Sequence, residues 1–314
     1  MAGFSLVNVN WDFMGKRRVA MVLSLTLALV SIVSVAVRGF NFGIDFTGGI
    51  VVEVQYQQPV ELDAVRSALE KTGFDKVIVQ YFGTAHDVLI RVPPGKNGKS
   101  ADVSTRILAA LRQDSGDNNV EQRRVEFVGP QVGDELATDG GLAILVALLG
   151  IFVYVMIRFE WRFALGAIVA TLHDVIITVG LFSVTGLEFD LTVLAAVLAV
   201  IGYSVNDTVV VFDRIRENFR KMRKAEPVIA MNAAINQTLS RTTITSLVTL
   251  LAVLALLFFG GGLIRNFSIA LVAGIVIGTF SSIYVASAIA LWLGVSKADL
   301  MPVKKEGADL DARP

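Results

Sequence analysis

The residues able to do chemistry in this chain are carboxylates and a cation set in or beside apolar runs. Asp207, within GYSVNDTVVVFDRIRENFR (202–220), ends a long apolar stretch and precedes Asp213 and Arg214. A carboxylate in hydrocarbon is costly to keep ionised, and gaining and losing a proton is the chemistry such a position offers. With Asp213 and Arg214 as the water boundary, Asp207 lies roughly 9 Å inside along the helix axis, at ~1.5 Å per residue. Tyr203 is one turn earlier on the same face, Asn206 is adjacent, and Gly202 leaves room for a close neighbour. The competing reading is a carboxylate hydrogen-bonded to a neighbouring helix only to hold a bundle together.

Arg241, in NQTLSRTTITS (236–246), sits among the hydroxyls of Ser240, Thr242, Thr243 and Thr245. An arginine at a helix end is ordinary interfacial anchoring. The moderately polar helical segment before it, AMNAAINQTLS, allows the helix to begin earlier and bring Arg241 to a depth near that of Asp207, so anchoring and function both stay open. His173 and Asp174 fall near the centre of another apolar run, where a switchable imidazole or interhelical packing are both served. Adjacent helical residues point about 100° apart, so the two need not touch. Metal binding is not expected, because the one other histidine is the distant His86 and no ligand spacing occurs.

The elements that position these groups are membrane helices. Hydrophobic residues are 54% of 314 and mean hydropathy is +0.64, beyond what one soluble core requires. Net charge is zero, which gives no hint of nucleic-acid binding, and the absence of cysteine excludes disulfides and thiol chemistry. Runs long enough to span the membrane cover 19–37, 140–157, 163–187, 191–212, 242–264 and 266–296. Lys16, Arg17 and Arg18 before the first run, Arg158 and Arg162 around RFEWR, and the basic cluster from Arg214 to Lys224 place both termini in the cytoplasm. On this reading 1–18 is a cytoplasmic N-terminus, 213–240 a cytoplasmic loop, 297–314 a cytoplasmic tail, and 38–139 lies outside. The first run also fits a signal peptide, with a small-x-small site at Ser34 to Ala36, but its length favours a retained helix.

Segment 38–139 alternates strand and helix patterns. IVVEVQY, KVIVQYF, DVLIRV and RVEFV read as strands, and ELDAVRSALEKTG and 101–113 as helices, in the order βαββαβ. That order predicts a ferredoxin-like α+β domain. PPGKNGKS (93–100) nearly spells a phosphate-binding loop, but Pro93 stands where the first glycine belongs and has no N–H to offer, so nucleotide binding is not expected. Gly274 and Gly278, with Ser281, Ser282, Ala286 and Ala288, read as helix-packing residues.

Several segments together resemble the SecF-type members of the SecD/SecF family. They are GFNFGIDFTGG, VEFVGPQVG, RFEWR, TLHDVIITVG, VIGYSVNDTVVVFDRIREN, NQTLSRTTITS and SSIYVASAIAL, and they run nearly end to end. The resemblance implies a polytopic α-helical protein of the resistance-nodulation-division architecture in the bacterial inner membrane, with six transmembrane helices and a periplasmic ferredoxin-like domain after the first. It implies pairing with SecD beside the SecYEG channel and use of the proton-motive force to help draw a translocating polypeptide across. Contact with membrane lipid and none with nucleic acid is expected, as is no enzyme activity and no cofactor beyond the proton gradient. In the family's motif the positions matching Asp207 and Arg241 belong to the proton path, with Tyr203, Asn206, His173 and Asp174 as candidate support. A solute or ion transporter half of the same architecture and a purely structural assembly subunit are the alternatives.

Overall fold

A computed structural model describes residues 10–74, 77–94, 100–115, 120–222 and 224–295. Most of the PPGKNGKS loop, and the tail after Val295, lie outside the described residues. Six helical segments are long and apolar enough to cross a membrane by length and composition. They are α1 (Arg17–Arg38), α5 (Pro130–Arg158), α6 (Trp161–Thr185), α7 (Leu191–Lys221), α8 (Pro227–Phe259), and a compound sixth of α9 (Arg265–Ser281), a π turn (Ser282–Ala286) and α10 (Ser287–Trp292). Between α1 and α5 come β1 (Asn41–Phe42), α2 (Ile44–Thr47), β2 (Gly49–Tyr56), α3 (Leu62–Glu70), β3 (Ile78–Phe82), β4 (Thr84–Val92), α4 (Ser100–Asp114) and β5 (Val120–Val128). A last short strand, β6 (Glu188–Phe189), joins α6 to α7.

Three expectations about boundaries need correcting. The second apolar helix begins at Pro130, not 140, because Gly129 and a proline at the first helical position start it, and Asp134, Glu135 and Asp139 are tolerated on its polar early turns. The fourth does not end at Asp213. It runs to Lys221, burying Ile215, Asn218 and Phe219, while Glu217 pairs with Arg214 and Lys221 at helical spacing. The expected loop 213–240 therefore shrinks to the turn between Lys221 and Pro227, and α8 begins fourteen residues before Arg241.

The strands β2 to β5 form one antiparallel sheet in the order β3-β4-β2-β5. Strand alternation explains why β2 is buried on both faces. Val52 and Val54 meet Val65, Leu69, Ile107 and Leu111 of α3 and α4, whereas Val51 packs with Ile44 and Leu89 on the opposite face. Gly49 has φ +126°, and a Cβ there would stand 2.5 Å from the Val92 carbonyl oxygen, so the turn from α2 into β2 needs glycine.

The sheet is fastened to the helices at one end of the bundle. Strand β1, just after α1, pairs in parallel with β6. Arg91 of β4 is buried, forms an ion pair with Glu188 of β6, and donates from Nη1 to the Phe42 carbonyl at 2.7 Å. Gln80 donates to the other Glu188 oxygen at 3.1 Å, and Asn266 of α9 donates to the Glu188 carbonyl at 3.0 Å. Burial pushes the Glu188 carboxyl above its ordinary range and Arg91 opposes that rise. The same joint caps α7: Asp190 accepts from the Val193 amide at 2.8 Å, and Asp45 accepts from the Leu191 amide at 2.9 Å.

Exposure separates this ion pair from the others. Arg91 and Glu188 side chains are 6% and 16% exposed, against 43% for both members of Arg158–Asp213 at the other end of the bundle. Removing one partner of a buried pair costs about 3–5 kcal/mol, whereas an exposed pair is worth about 0–1 kcal/mol. Arg91→Ala is therefore expected to raise hydrogen exchange at the amides of β1 and β6 and lower the thermal transition, while Arg158→Ala leaves both nearly unchanged. Equal effects of the two substitutions would refute the assignment of Arg91 as the fastening residue.

Candidate functional site

Helices α7 and α9 approach closely because α9 offers glycines to α7. A Cβ on Gly274 would overlap the Val200 side chain at 2.1 Å, and one on Gly278 would crowd Ser204 at 3.2 Å. This contact brings the hydroxyls of two helices to the carboxylates of α6 and α7, and two separate polar clusters result.

The first is centred on Asp174, which is fully buried. Its Oδ2 accepts from Ser204 of α7 at 2.5 Å and from Ser281 of α9 at 2.6 Å, and its Oδ1 lies 2.9 Å from His173 Nδ1. The neighbours on α6, which helical geometry does not require to meet, do touch through this contact. Three short donors satisfy this carboxylate, as burial demands. Thr208 and Ser282, 2.9 Å apart, extend the polar seam between α7 and the π turn.

The second cluster is centred on Asp207, 2% exposed. Tyr203 donates to Ser246 Oγ of α8 at 3.0 Å, and Ser246 stands 2.7 Å from Thr279 Oγ1 of α9 and 3.5 Å from Asp207 Oδ2. Thr279 spends its own hydrogen on the Ile275 carbonyl at 2.8 Å. Ser246 has one hydrogen, and the short contact to Thr279 takes it. The 3.5 Å contact to Asp207, already at the distance limit of a hydrogen bond, is then left without a hydrogen. Asp207 is thus weakly answered where Asp174 is strongly answered, and this difference sorts the two carboxylates.

Arg241 lies within electrostatic reach of Asp207, yet among the described residues no ion pair joins them. Its side chain is exposed on α8, as are Gly202 and Asn206 on α7, so these three face outward from the isolated chain. Thr245 bonds back to the Arg241 carbonyl at 3.0 Å, so that hydroxyl serves its own helix and not the guanidinium. Of the candidate residues, Asp207 and Tyr203 are joined through Ser246, His173 and Asp174 form their own node, and Asn206 belongs to neither. Ser246, Thr279, Ser204 and Ser281 went unrecognised as site residues. Hydroxyls in apolar helices are the available signal, but many such hydroxyls bond only their own carbonyls, as Thr171 and Ser268 do. The described residues contain no group of three or more side chains suited to a metal.

Six apolar helices enclosing two unequally answered carboxylates, with an α/β domain between the first two, define a polytopic membrane protein with an intramembrane polar site. Residues 107–296 match the family described as Protein export membrane protein SecD/SecF, C-terminal, and residues 33–60 match the SecD/SecF GG Motif. The chain is 52% identical over 304 residues to the protein translocase subunit SecF of Vibrio alginolyticus, covering 96% of each. It is 49% identical to that of Pseudomonas aeruginosa, covering 96% of this chain and 97% of that one, and 47% identical to that of Escherichia coli O157:H7, covering 95% and 93%. The crystal structure of SecDF from Thermus thermophilus, a translocon-associated membrane protein, superposes with a TM-score of 0.83 at 39% identity. That match covers 92% of this chain but 39% of the longer SecDF chain. SecDF in a super-membrane-facing form gives a TM-score of 0.70 at 40% identity, with the same coverage. The chain belongs to the SecD/SecF family of protein-export membrane proteins.

Asp174→Ala would strip the acceptor from three buried donors, each costing about 1–3 kcal/mol when left unpaired. It is expected to lower the thermal transition markedly in detergent, while Asn206→Ala, on the exposed face, leaves it within experimental scatter. A stable Asp174→Ala protein would contradict the structural weight placed on that carboxylate.

Proposed function

We propose that this chain is an accessory subunit of the Sec protein-export machinery in the bacterial inner membrane, pairing with SecD and using the proton-motive force. The observation that carries the proposal is Asp207, buried between α7, α8 and α9, touched by Ser246 only at 3.5 Å and, among the described residues, with Arg241 in electrostatic reach but in no ion pair with it. Such a carboxylate has two accessible states. Ionised, it attracts Arg241; protonated, it loses that attraction, and the helices carrying the two groups relax relative to each other. The outward-facing Gly202, Asn206 and Arg241 form the surface on which a SecD half seats. The likeness to SecDF, where a matching segment is part of a longer chain, supports that pairing. That relative's description as translocon-associated supports a place beside the SecYEG channel, with the translocating polypeptide as the load.

Basic residues at the α5–α6 and α7–α8 turns and before α1 support cytoplasmic termini and a periplasmic, ferredoxin-like domain. Because the chain has no cysteine, single cysteines report orientation directly. A cysteine at Asp63 is expected to react in intact spheroplasts with a membrane-impermeant maleimide, and one at Lys221 only after lysis. The reverse pattern would invert the topology and overturn the assignment of the domain to the periplasm.

For the relay, Asp207→Asn is the direct variant, since it keeps shape and hydrogen bonding but cannot exchange a proton. In inverted membrane vesicles the stimulation of export by a proton gradient is expected to disappear, with the abundance of the SecD-containing complex unchanged. Retained stimulation would sink the relay role. Loss of the complex itself would favour the structural role in which Asp207 merely holds α8.

A further inference from the structure

Among the buried polar atoms that have no partner among the described residues, two on facing helices are chemically complementary. One is Nε2 of His173, whose side chain is 9% exposed; the other is Oγ of Ser24 on α1, a residue 3% exposed. Buried side-chain polar atoms nearly always find a partner in protein or in ordered water.

The register of α1 against α6 brings the two to one level. Ser34 Oγ lies 2.9 Å from Ser183 Oγ, and a Cβ on Gly180 would meet the Ser31 Cβ at 2.1 Å. Both pairs are separated by 149 residues in sequence, and so are Ser24 and His173. Seven residues, close to two helical turns, separate Ser24 from Ser31 and His173 from Gly180, so the parallel helices keep the same faces in contact. Apart from Ala20, the buried residues of α1 are Ser24 and Ser31, which places the serine stripe on the contact side.

The protons then balance in one arrangement. In it His173 Nδ1 donates to Asp174 Oδ1, 2.9 Å away, while both serines donate to Oδ2. Nε2 of that tautomer is a bare acceptor. Ser24 Oγ carries one hydrogen without an acceptor. The two atoms do not bond directly, but a single water between them would accept from Ser24 and donate to Nε2. Its second hydrogen has a helix carbonyl to go to, because each carbonyl oxygen keeps a free lone pair after its helical bond.

We propose that Ser24 and His173 hold one internal water between α1 and α6, a binding site for water that completes a polar chain. The chain runs from Ser24 of α1 through the water to His173 and Asp174 of α6, and on to Ser204 of α7 and Ser281 of α9. It ties α1, the helix that leads into the α/β domain, to the two helices flanking Asp207. The inference rests on packing register and hydrogen-bond accounting and is independent of the relay role of Asp207.

The chain contains two histidines, so His86→Gln leaves His173 as the sole imidazole. The probe is ¹⁵N-histidine solid-state NMR of the full-length protein in lipid bilayers, with detection of exchangeable water protons. Expected are a protonated Nδ1, an Nε2 shift typical of a hydrogen-bonded acceptor, and a cross peak from Nε2 to water. Ser24→Ala is expected to remove the cross peak and shift Nε2 toward a free imine nitrogen, while Ser24→Thr, which keeps the hydroxyl, retains both. The proposal is overturned by an Nε2 with no water contact in the parent protein, by a protonated Nε2 with bare Nδ1, or by Ser24→Ala spectra identical to the parent.

Discussion

Within hydrocarbon a polar side chain can be answered only by another part of the protein, and a carboxylate most of all. The packing of α6, α7, α8 and α9 follows from that constraint. Glycines of α9 let its hydroxyls come within reach of carboxylates on α6 and α7, and serines at the contact both fit the narrow gap and supply the donors. Asp174 receives three short bonds and becomes a fixed point of the bundle. Asp207 has only a 3.5 Å contact with Ser246, and with the Ser246 hydrogen given to Thr279 that contact carries no donated hydrogen. A group that is buried but poorly answered is the one whose protonation alters its surroundings at least energetic expense.

The site is also mechanically placed. Helix α7 starts at the joint where Asp190 and Asp45 cap it and where Arg91 holds Glu188, and it reaches Asp207 roughly 25 Å further on at ~1.5 Å per residue. The cap and the carboxylate therefore sit on one continuous rod. On the proposed relay, a tilt of α7 driven at Asp207 would reach the α/β domain through the buried Arg91–Glu188 pair, with little resistance from the exposed Arg158–Asp213 pair at the other end of the bundle.

The six apolar helices, the succession of strands and helices from β2 to β5, and the burial of Asp207 were legible because each rests on a strong local signal, a charge-free run, an alternation or a carboxylate out of place. Helix ends were less so. Asp213 and Arg214 look like a water boundary, yet α7 continues as an amphipathic helix whose buried Ile215 and Phe219 pack with Met231 and Ile235 of α8. The spacing of Ile215 and Phe219 and of Arg214, Glu217 and Lys221 is helical, but the α8 surface that receives the apolar face is tertiary and leaves no mark within 213–221. The partners of the carboxylates were hidden for the same reason. Ser246 and Thr279 look like any hydroxyl in a membrane helix until α8 and α9 are laid against α7. Arg241 lies within electrostatic reach of Asp207, and its residue is exposed on the isolated chain.

The central claim is the proposal that Asp207 gains and loses a proton. Infrared difference spectroscopy of the complex with SecD in bilayers, stepped between alkaline and acidic pH, measures this directly through the carboxylic C=O stretch. Beside the bands of the exposed carboxyls, one component is expected that Asp207→Asn removes and that Ser24→Ala leaves in place. A difference spectrum that Asp207→Asn leaves unchanged would contradict the account.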